Sequence, residues 1–184
     1  MLKTPDVGHL EGRTVFVTGG TGSFGRAFVR RCLDLNVADK LICFSRDEQK
    51  QLRMQREFDR PDKLAFRLGD VRDAERLETA LWGADTIVHA AALKVIAQGL
   101  DNPDELLKTN CLGTLNILRV AMRLGVPQVL VLSSDKSVAA VNLYGATKHV
   151  AEGLAVAWNA YGKSRGVSSA AVRYGNVLGS RGSV

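Results

Sequence analysis

The amino-acid sequence predicts an α/β fold, a doubly wound parallel sheet in three α/β/α layers. Three observations carry this prediction. Short apolar, β-branched runs alternate with segments of helical spacing along the whole chain. The strand-like runs are continuously apolar, as strands covered on both faces must be. The connections are long enough to hold helices, which parallel strands need and which right-handed crossovers place on both faces of the sheet. Residues 1–184 are then expected to form one domain, long enough for one well-buried core.

Each element has its own local reason. Thr14–Thr18 is a β-branched run that stops at glycines, a buried-strand signal, and Gly25–Leu35 spaces Phe28, Val29, Cys32, Leu33 and Leu35 as a helix does. Leu41–Phe44 is a second strand, followed by a charged helix over Asp47–Phe58 that ends before Pro61. Leu64–Leu68 is a third strand, Ala74–Trp82 a third helix and Thr86–His89 a fourth strand. Pro103 opens a long helix to about Leu124, because proline is preorganised for a first helical turn. Val129–Leu132 is a fifth strand, Tyr144–Tyr161 a helix and Ser169–Arg173 a sixth strand. The chain closes on the polar, glycine-rich Gly179–Val184 just after that strand, and is expected to be cut short of a longer protein.

Composition narrows the function classes. Apolar residues make up 46% and charged residues 24%, a globular balance. No uncharged apolar run reaches the roughly 18 residues of a membrane span, and Met1–Gly12 lacks the apolar centre of a signal peptide. A cytoplasmic protein that does not engage a membrane is expected. Cys32, Cys43 and Cys111 are odd in number, widely spaced and without a CxxC pair, so buried free thiols are expected rather than a disulfide or metal site. Of the net charge of +6, much sits between Arg46 and Arg72, where basic and acidic residues alternate. A solvated helix face explains that stretch, and a positive field also suits polyanionic small molecules, so nucleic acid is not needed as a partner.

Gly19-Gly-Thr-Gly-Ser-Phe-Gly25 follows the first strand and opens the first helix. Missing side chains let backbone approach a pyrophosphate, which the amide groups and dipole of a helix N-terminus stabilise. Strand, turn and helix together give this motif its meaning, and they predict a Rossmann-type dinucleotide site. The second strand ends in Ser45-Arg46, a hydroxyl and a guanidinium fork suited to the 2′-phosphate of NADP, while Asp47 keeps NAD open as the alternative. Asp70, followed by Val71, is placed either on the adenine amino group or at a helix N-cap.

Tyr144 and Lys148 stand four residues apart and share a helix face, where an ammonium is expected to lower the phenol pKa toward neutrality. Upstream, the fifth strand ends in Ser134-Asp135-Lys136. Carboxyl ends of strands line the ligand crevice of a doubly wound sheet, so Ser134 is a candidate hydrogen-bond donor to substrate. Asp135 and Lys136 add an acid and an amine beyond what hydride transfer requires, although a polar loop with a capping Asp is the plainer reading.

These segments, with Ser45-Arg-Asp-Glu48, Gly69-Asp-Val-Arg-Asp73, Val88-His-Ala-Ala-Ala-Leu-Lys94, Asn142-Leu-Tyr-Gly-Ala-Thr-Lys148 and Arg173-Tyr-Gly-Asn-Val177, resemble the UDP-N-acetylglucosamine 4,6-dehydratases. These are extended short-chain dehydrogenases/reductases of surface-glycan and flagellin-sugar biosynthesis, and the tyrosine at 144 resembles their soluble, C5-inverting branch. The likeness covers nearly the whole chain, but the family continues for over a hundred residues that carry much of the sugar-binding lobe. The resemblance implies NADP held by Gly19, Thr21, Gly22, Ser23, Phe24, Gly25, Ser45, Arg46, Asp70, Val71, Ala90, Ala91, Ala92, Tyr144, Lys148 and Val177. It implies contacts from Lys94 and Asn176 to the nucleotide-sugar, and a homo-oligomer at full length. Ser134, Asp135, Lys136, Tyr144 and Lys148 would be catalytic. The sequence departs from the pattern at Lys94-Val-Ile-Ala97, Leu100 and Ala139-Ala140, and has Ser134 where threonine is usual. A nucleotide-sugar 4-epimerase and a non-catalytic NADP-binding module are the alternatives; the first has no use for Asp135-Lys136.

Overall fold

A computed structural model describes residues 8–177. Six strands form one parallel sheet: β1 (Thr14–Thr18), β2 (Lys40–Ser45), β3 (Leu64–Leu68), β4 (Thr86–His89), β5 (Gln128–Ser134) and β6 (Ser168–Tyr174). Their order is β3-β2-β1-β4-β5-β6, so the chain winds outward from β1 and then returns to build the other half. Register is in step across the switch, with Thr18 opposite Phe44 on one side and His89 on the other. Loops leaving β1 and β4 diverge there and open the crevice in which such sheets bind ligands.

The helices α1 (Ser23–Leu35), α2 (Glu48–Phe58), α3 (Ala74–Leu81), α4 (Ile96–Asp101), α5 (Pro103–Leu107), α6 (Gly113–Leu124) and α7 (Leu143–Gly162) pack around the sheet. On one face Phe16, Ile42, Phe44 and Ile87 meet Leu77 and Leu81 of α3, Ile117 and Leu118 of α6, and Ala151 of α7. On the other, Val15, Val17, Leu41 and Val88 meet Val29 and Cys32 of α1 and Met54 of α2. Central strands buried on both sides explain their continuous apolar sequence. Over β4–β6, the α1 side carries a shallow groove of about 290 Å³ lined by Leu10, Phe28, Val88, Leu130 and Ala170. Among the described residues no helix is long and apolar enough to cross a membrane.

Helix starts follow side-chain chemistry. Asp47, Asp73 and Asn142 each accept an amide bond three residues on, from Lys50, Arg76 and Gly145, and so cap α2, α3 and α7. Two features depart from the sequence expectation. The short helix α4 stands where Val95 to Asp101 gave no helical signal. The long helix expected from Pro103 is broken by a π turn at Lys108–Leu112, whose buried residues are the polar Thr109 and Asn110. The segment Gly179–Val184 lies outside the described residues.

Candidate active site

Site geometry starts at the glycine turn. Gly19 sits at φ +65° and its amide donates to the Phe44 carbonyl at 2.9 Å, tying the turn to β2. A Cβ on Gly25 would lie 2.5 Å from the Gly19 carbonyl oxygen and 2.6 Å from Gly20 Cα, so only glycine lets α1 start against the turn. The N-cap of α1 is Gly22, so no cap side chain competes for the first-turn amides.

A cleft of about 620 Å³ opens over this turn. All the expected residues of the turn, Gly19, Thr21, Gly22, Ser23, Phe24 and Gly25, line it. Ser45, Arg46, Asp70 and Val71 line one end, and Ala90, Ala91 and Ala92 form a shelf after β4. Lys94, Ser134, Lys136, Tyr144, Asn176 and Val177 close the other end. Asp135, exposed, and Lys148, buried, are not among the lining residues; Asp135 bonds to Ser134 and Lys136, which are.

At the Arg46 end the carboxylates are already engaged. Asp47 caps α2 and pairs with the Lys50 ammonium at 2.9 Å, and these bonds hold its carboxyl below the usual range. Asp70 is not a helix cap; that position belongs to Asp73. Its carboxylate accepts from the Arg72 backbone at 2.9 Å and guanidinium at 2.7 Å, and lies 3.5 Å from Arg46. Partial burial works against its charge, but the Arg72 bonds outweigh it and lower the carboxyl pKa. Arg46 keeps a half-exposed side chain on the cleft wall.

At the opposite end β5 runs into a single turn, Asp135–Ser137, capped by Ser134 Oγ, which accepts from the Lys136 amide at 3.1 Å. Ser134 Oγ donates to Asp135 Oδ1 at 2.9 Å, and Lys136 Nζ lies 3.2 Å from the same oxygen and 2.9 Å from Asn176 Oδ1. The Ser134 and Lys136 bonds hold the Asp135 carboxyl low. A side chain at position 145 would strike the Lys136 carbonyl, so Gly145 lets the first turn of α7 seat directly on this turn.

Tyr144 and Lys148 share the buried face of α7, as expected. The expected lowering of the phenol pKa is not found. Burial pushes Tyr144 up, and a bond to Ser134 only partly offsets it. Lys148 is itself buried and pushed down to about 8, so desolvation governs both groups. Behind them Glu152 accepts from Arg173 at 2.9 and 2.6 Å and from Ser137 at 2.6 Å, and the Arg173 bond leads in holding it at about 2. Cys32 and Cys43 are buried free thiols pushed up to about 11 and about 12; Cys111 is only half-buried.

Thr109 is a lining residue that sequence reasoning missed. Its buried Oγ1 has no hydrogen-bond partner among the described residues, although it borders the cleft. Only the π turn brings it there, and that turn left no sequence signal. Tyr174, stacked on Phe24 with ring centroids 6.2 Å apart, is another such residue.

The family model for "Polysaccharide biosynthesis protein" matches residues 15–184. The chain belongs to this family. Over 173 residues it is 42% identical to a UDP-N-acetylglucosamine 4,6-dehydratase (inverting) of Campylobacter jejuni, covering 94% of this chain and 52% of that protein. It is 43% identical to a UDP-glucose 4-epimerase of Rickettsia felis, covering 94% and 51%. The dTDP-glucose 4,6-dehydratase DesIV of Streptomyces venezuelae, solved with NAD bound, superposes with a TM-score of 0.74 at 27% identity, over 87% of this chain and 53% of that one. The chain thus spans about half the length of the relatives it matches.

Proposed function

We propose that the chain is the cofactor-binding half of a nucleotide-sugar 4,6-dehydratase, acting on UDP-N-acetylglucosamine with NADP in surface-glycan or flagellin-sugar biosynthesis. One observation carries the reading: Ser134, Asp135 and Lys136 form a bonded cluster beside Tyr144 at the mouth of a cleft that begins on a glycine turn. The residues present fit a dinucleotide. Gly19 and Gly25 let the turn pack against Ala90–Ala91 and against the start of α1, so that the turn lines the cleft at a helix N-terminus suited to a pyrophosphate; Thr109 offers an unpartnered hydroxyl, and Arg46 offers a guanidinium to a 2′-phosphate.

When bound, NADP⁺ would supply a hydride acceptor at C4 and, once reduced, a hydride donor at C6. Tyr144 must first give up its own proton, which burial opposes and the Lys148 ammonium favours. As the phenolate, aided by Ser134, it takes the proton of the sugar C4 hydroxyl as the C4 ketone forms. The buried Lys148 contributes positive charge behind the phenolate. The ketone acidifies C5–H, Lys136 removes that proton, and Asp135 protonates the departing C6 oxygen, so water leaves. Lys136 must first pass a proton to Asp135, 3.2 Å away, which leaves a neutral amine as the base and a protonated carboxyl as the acid. Ser134 and Lys136 hold its carboxyl low, and their engagement with the sugar would release it. Lys94 and Asn176 are assigned to the nucleotide-sugar. A cytoplasmic location and a homo-oligomer at full length belong to the same proposal.

The epimerase reading has support in the Rickettsia relative. Epimerisation at C4 uses Tyr144 and Lys148 but leaves Asp135 and Lys136 idle, which favours the dehydratase. The deciding experiment extends the chain to its relatives' full length and supplies UDP-N-acetylglucosamine in deuterated water. Loss of water with deuterium at C5 is expected. Conversion to the C4 epimer with no exchange at C5 would overturn the reading in favour of the alternative.

A further inference from the structure

We infer that His89 is a positioning residue, whose neutral ring, protonated on Nε2, couples the floor of the cleft to the helix that carries Tyr144. Counting donors and acceptors fixes that tautomer from both sides. Thr18 Oγ1 accepts from the amides of Ala90 and Ala91, each at 3.1 Å, the Ala90 N–H being shared with the Thr18 carbonyl at 3.2 Å, so both of its lone pairs face amide donors. Its one hydroxyl proton must therefore go to His89 Nδ1, 2.7 Å away. On the other side, the Thr114 hydroxyl gives its proton to the Asn110 carbonyl at 2.6 Å, since a carbonyl can only accept. His89 Nε2 must then be the donor to Thr114 Oγ1 at 3.0 Å. A protonated ring would aim a second N–H at Thr18 Oγ1, which has no lone pair left to receive it.

The chain of bonds continues to Tyr144. Asn110 clamps the backbone of Leu93, accepting from its amide at 2.8 Å and donating to its carbonyl at 2.9 Å. Its remaining amide proton goes to Thr147 Oγ1 at 3.0 Å, and Thr147 donates to the Tyr144 carbonyl at 2.7 Å. Thr18, His89, Asn110, Thr114 and Thr147 are all buried, none more than 2% exposed. One polar chain thus spans β1, β4, the start of α6, the π turn and α7. It sets the Ala90–Ala91 shelf and the start of α7 in one register. In a dry interior every link is directional, because an unmet donor or acceptor costs about 1–3 kcal/mol.

The ligand part of this inference rests on the proposed dinucleotide in the cleft; the tautomer does not. The chain has three histidines, His9, His89 and His149, so nitrogen-15 imidazole spectra are assigned with His9→Gln and His149→Gln. His89 is expected with a bare, hydrogen-bonded Nδ1 and a protonated Nε2, unchanged from about pH 5 to about pH 8. A proton on Nδ1 would overturn the inference. NADP titration and the Tyr144 ring-carbon signal are then compared in wild type, His89→Leu and His89→Gln, with folding checked by circular dichroism. Leucine should weaken NADP about tenfold and shift the Tyr144 signal. Glutamine, which keeps a donor and an acceptor, should restore both to within about threefold of wild type. A folded leucine variant with wild-type affinity and an unmoved Tyr144 signal would refute positioning. If leucine prevents folding, Thr114→Val and Thr114→Ser make the same comparison. If the wild type binds no dinucleotide, the cofactor reading fails, while the tautomer and the Tyr144 signal still decide the role of His89.

Discussion

Arg46, Asp47 and Glu152 each have an assigned partner, and each partner predicts a different outcome. Arg46 faces the cleft, whereas Asp47 is spent on capping α2. NADP is therefore expected to bind more tightly than NAD, and Arg46→Ala to erase most of that difference in parallel titrations. Equal affinities in the wild type would sink this assignment. Asp47→Ala should instead cost about 1 kcal/mol of stability in thermal melts and leave the cofactor ratio alone. Glu152 is held at about 2, from an ordinary 4.5, chiefly by Arg173. The folded state thus favours its charged form, so its contribution is complete above pH 4.5 and is lost as pH falls from there toward 2. With Arg173 half exposed, that contribution is about 2 kcal/mol. Glu152→Gln should be less stable by about that amount at neutral pH, with the gap narrowing in acid denaturation curves below about pH 4.5.

Among the elements, the turn between β1 and α1 tolerates least. A methyl at position 25 meets backbone atoms of Gly19 and Gly20, which cannot rotate away as a side chain would. Gly25→Ala should cost about 1–3 kcal/mol in denaturant titration and weaken dinucleotide binding at least tenfold. An alanine variant that binds as wild type would show that the turn is not a phosphate cradle. This turn, the six strands and Tyr144 with Lys148 were legible in the sequence, because each depends on local spacing: apolar runs, glycines every three residues, and a pair at i, i+4. Thr109 and the His89 chain were not, because they arise where β1, β4, the π turn and α7 meet, between residues far apart in sequence. The Tyr144 pKa was misjudged for a related reason. Spacing reveals a neighbouring charge but not the burial that outweighs it. Of the two readings of Asp70, the cap falls to Asp73, because both stand at plausible cap positions before the same helix.

At the scale of the molecule, α7 presents an outer face without a formal charge unless His149 is protonated. Val150, Val156 and Tyr161 stand there 48%, 68% and 72% exposed. A helix apolar on nearly every side normally has a covered face. Concentration-dependent self-association is expected in sedimentation experiments, and Val156→Lys should shift it toward monomer. A wild type that stays monomeric at every concentration would remove this expectation. The π turn has a molecular consequence of another kind. It holds one residue more than a regular helix needs over the same rise. Deleting a single codon there would give an unbroken helix from Pro103 to Leu124, with its backbone bonds fully met. The flanking helices would keep their orientation, because the bulge already absorbs the extra residue, but the side chains within the turn would be re-aimed. Thr109 would leave the cleft, and Asn110 would lose Leu93. The shortened protein would hold a better helix and a worse site, so selection for helix regularity and selection for binding pull in opposite directions at this one place.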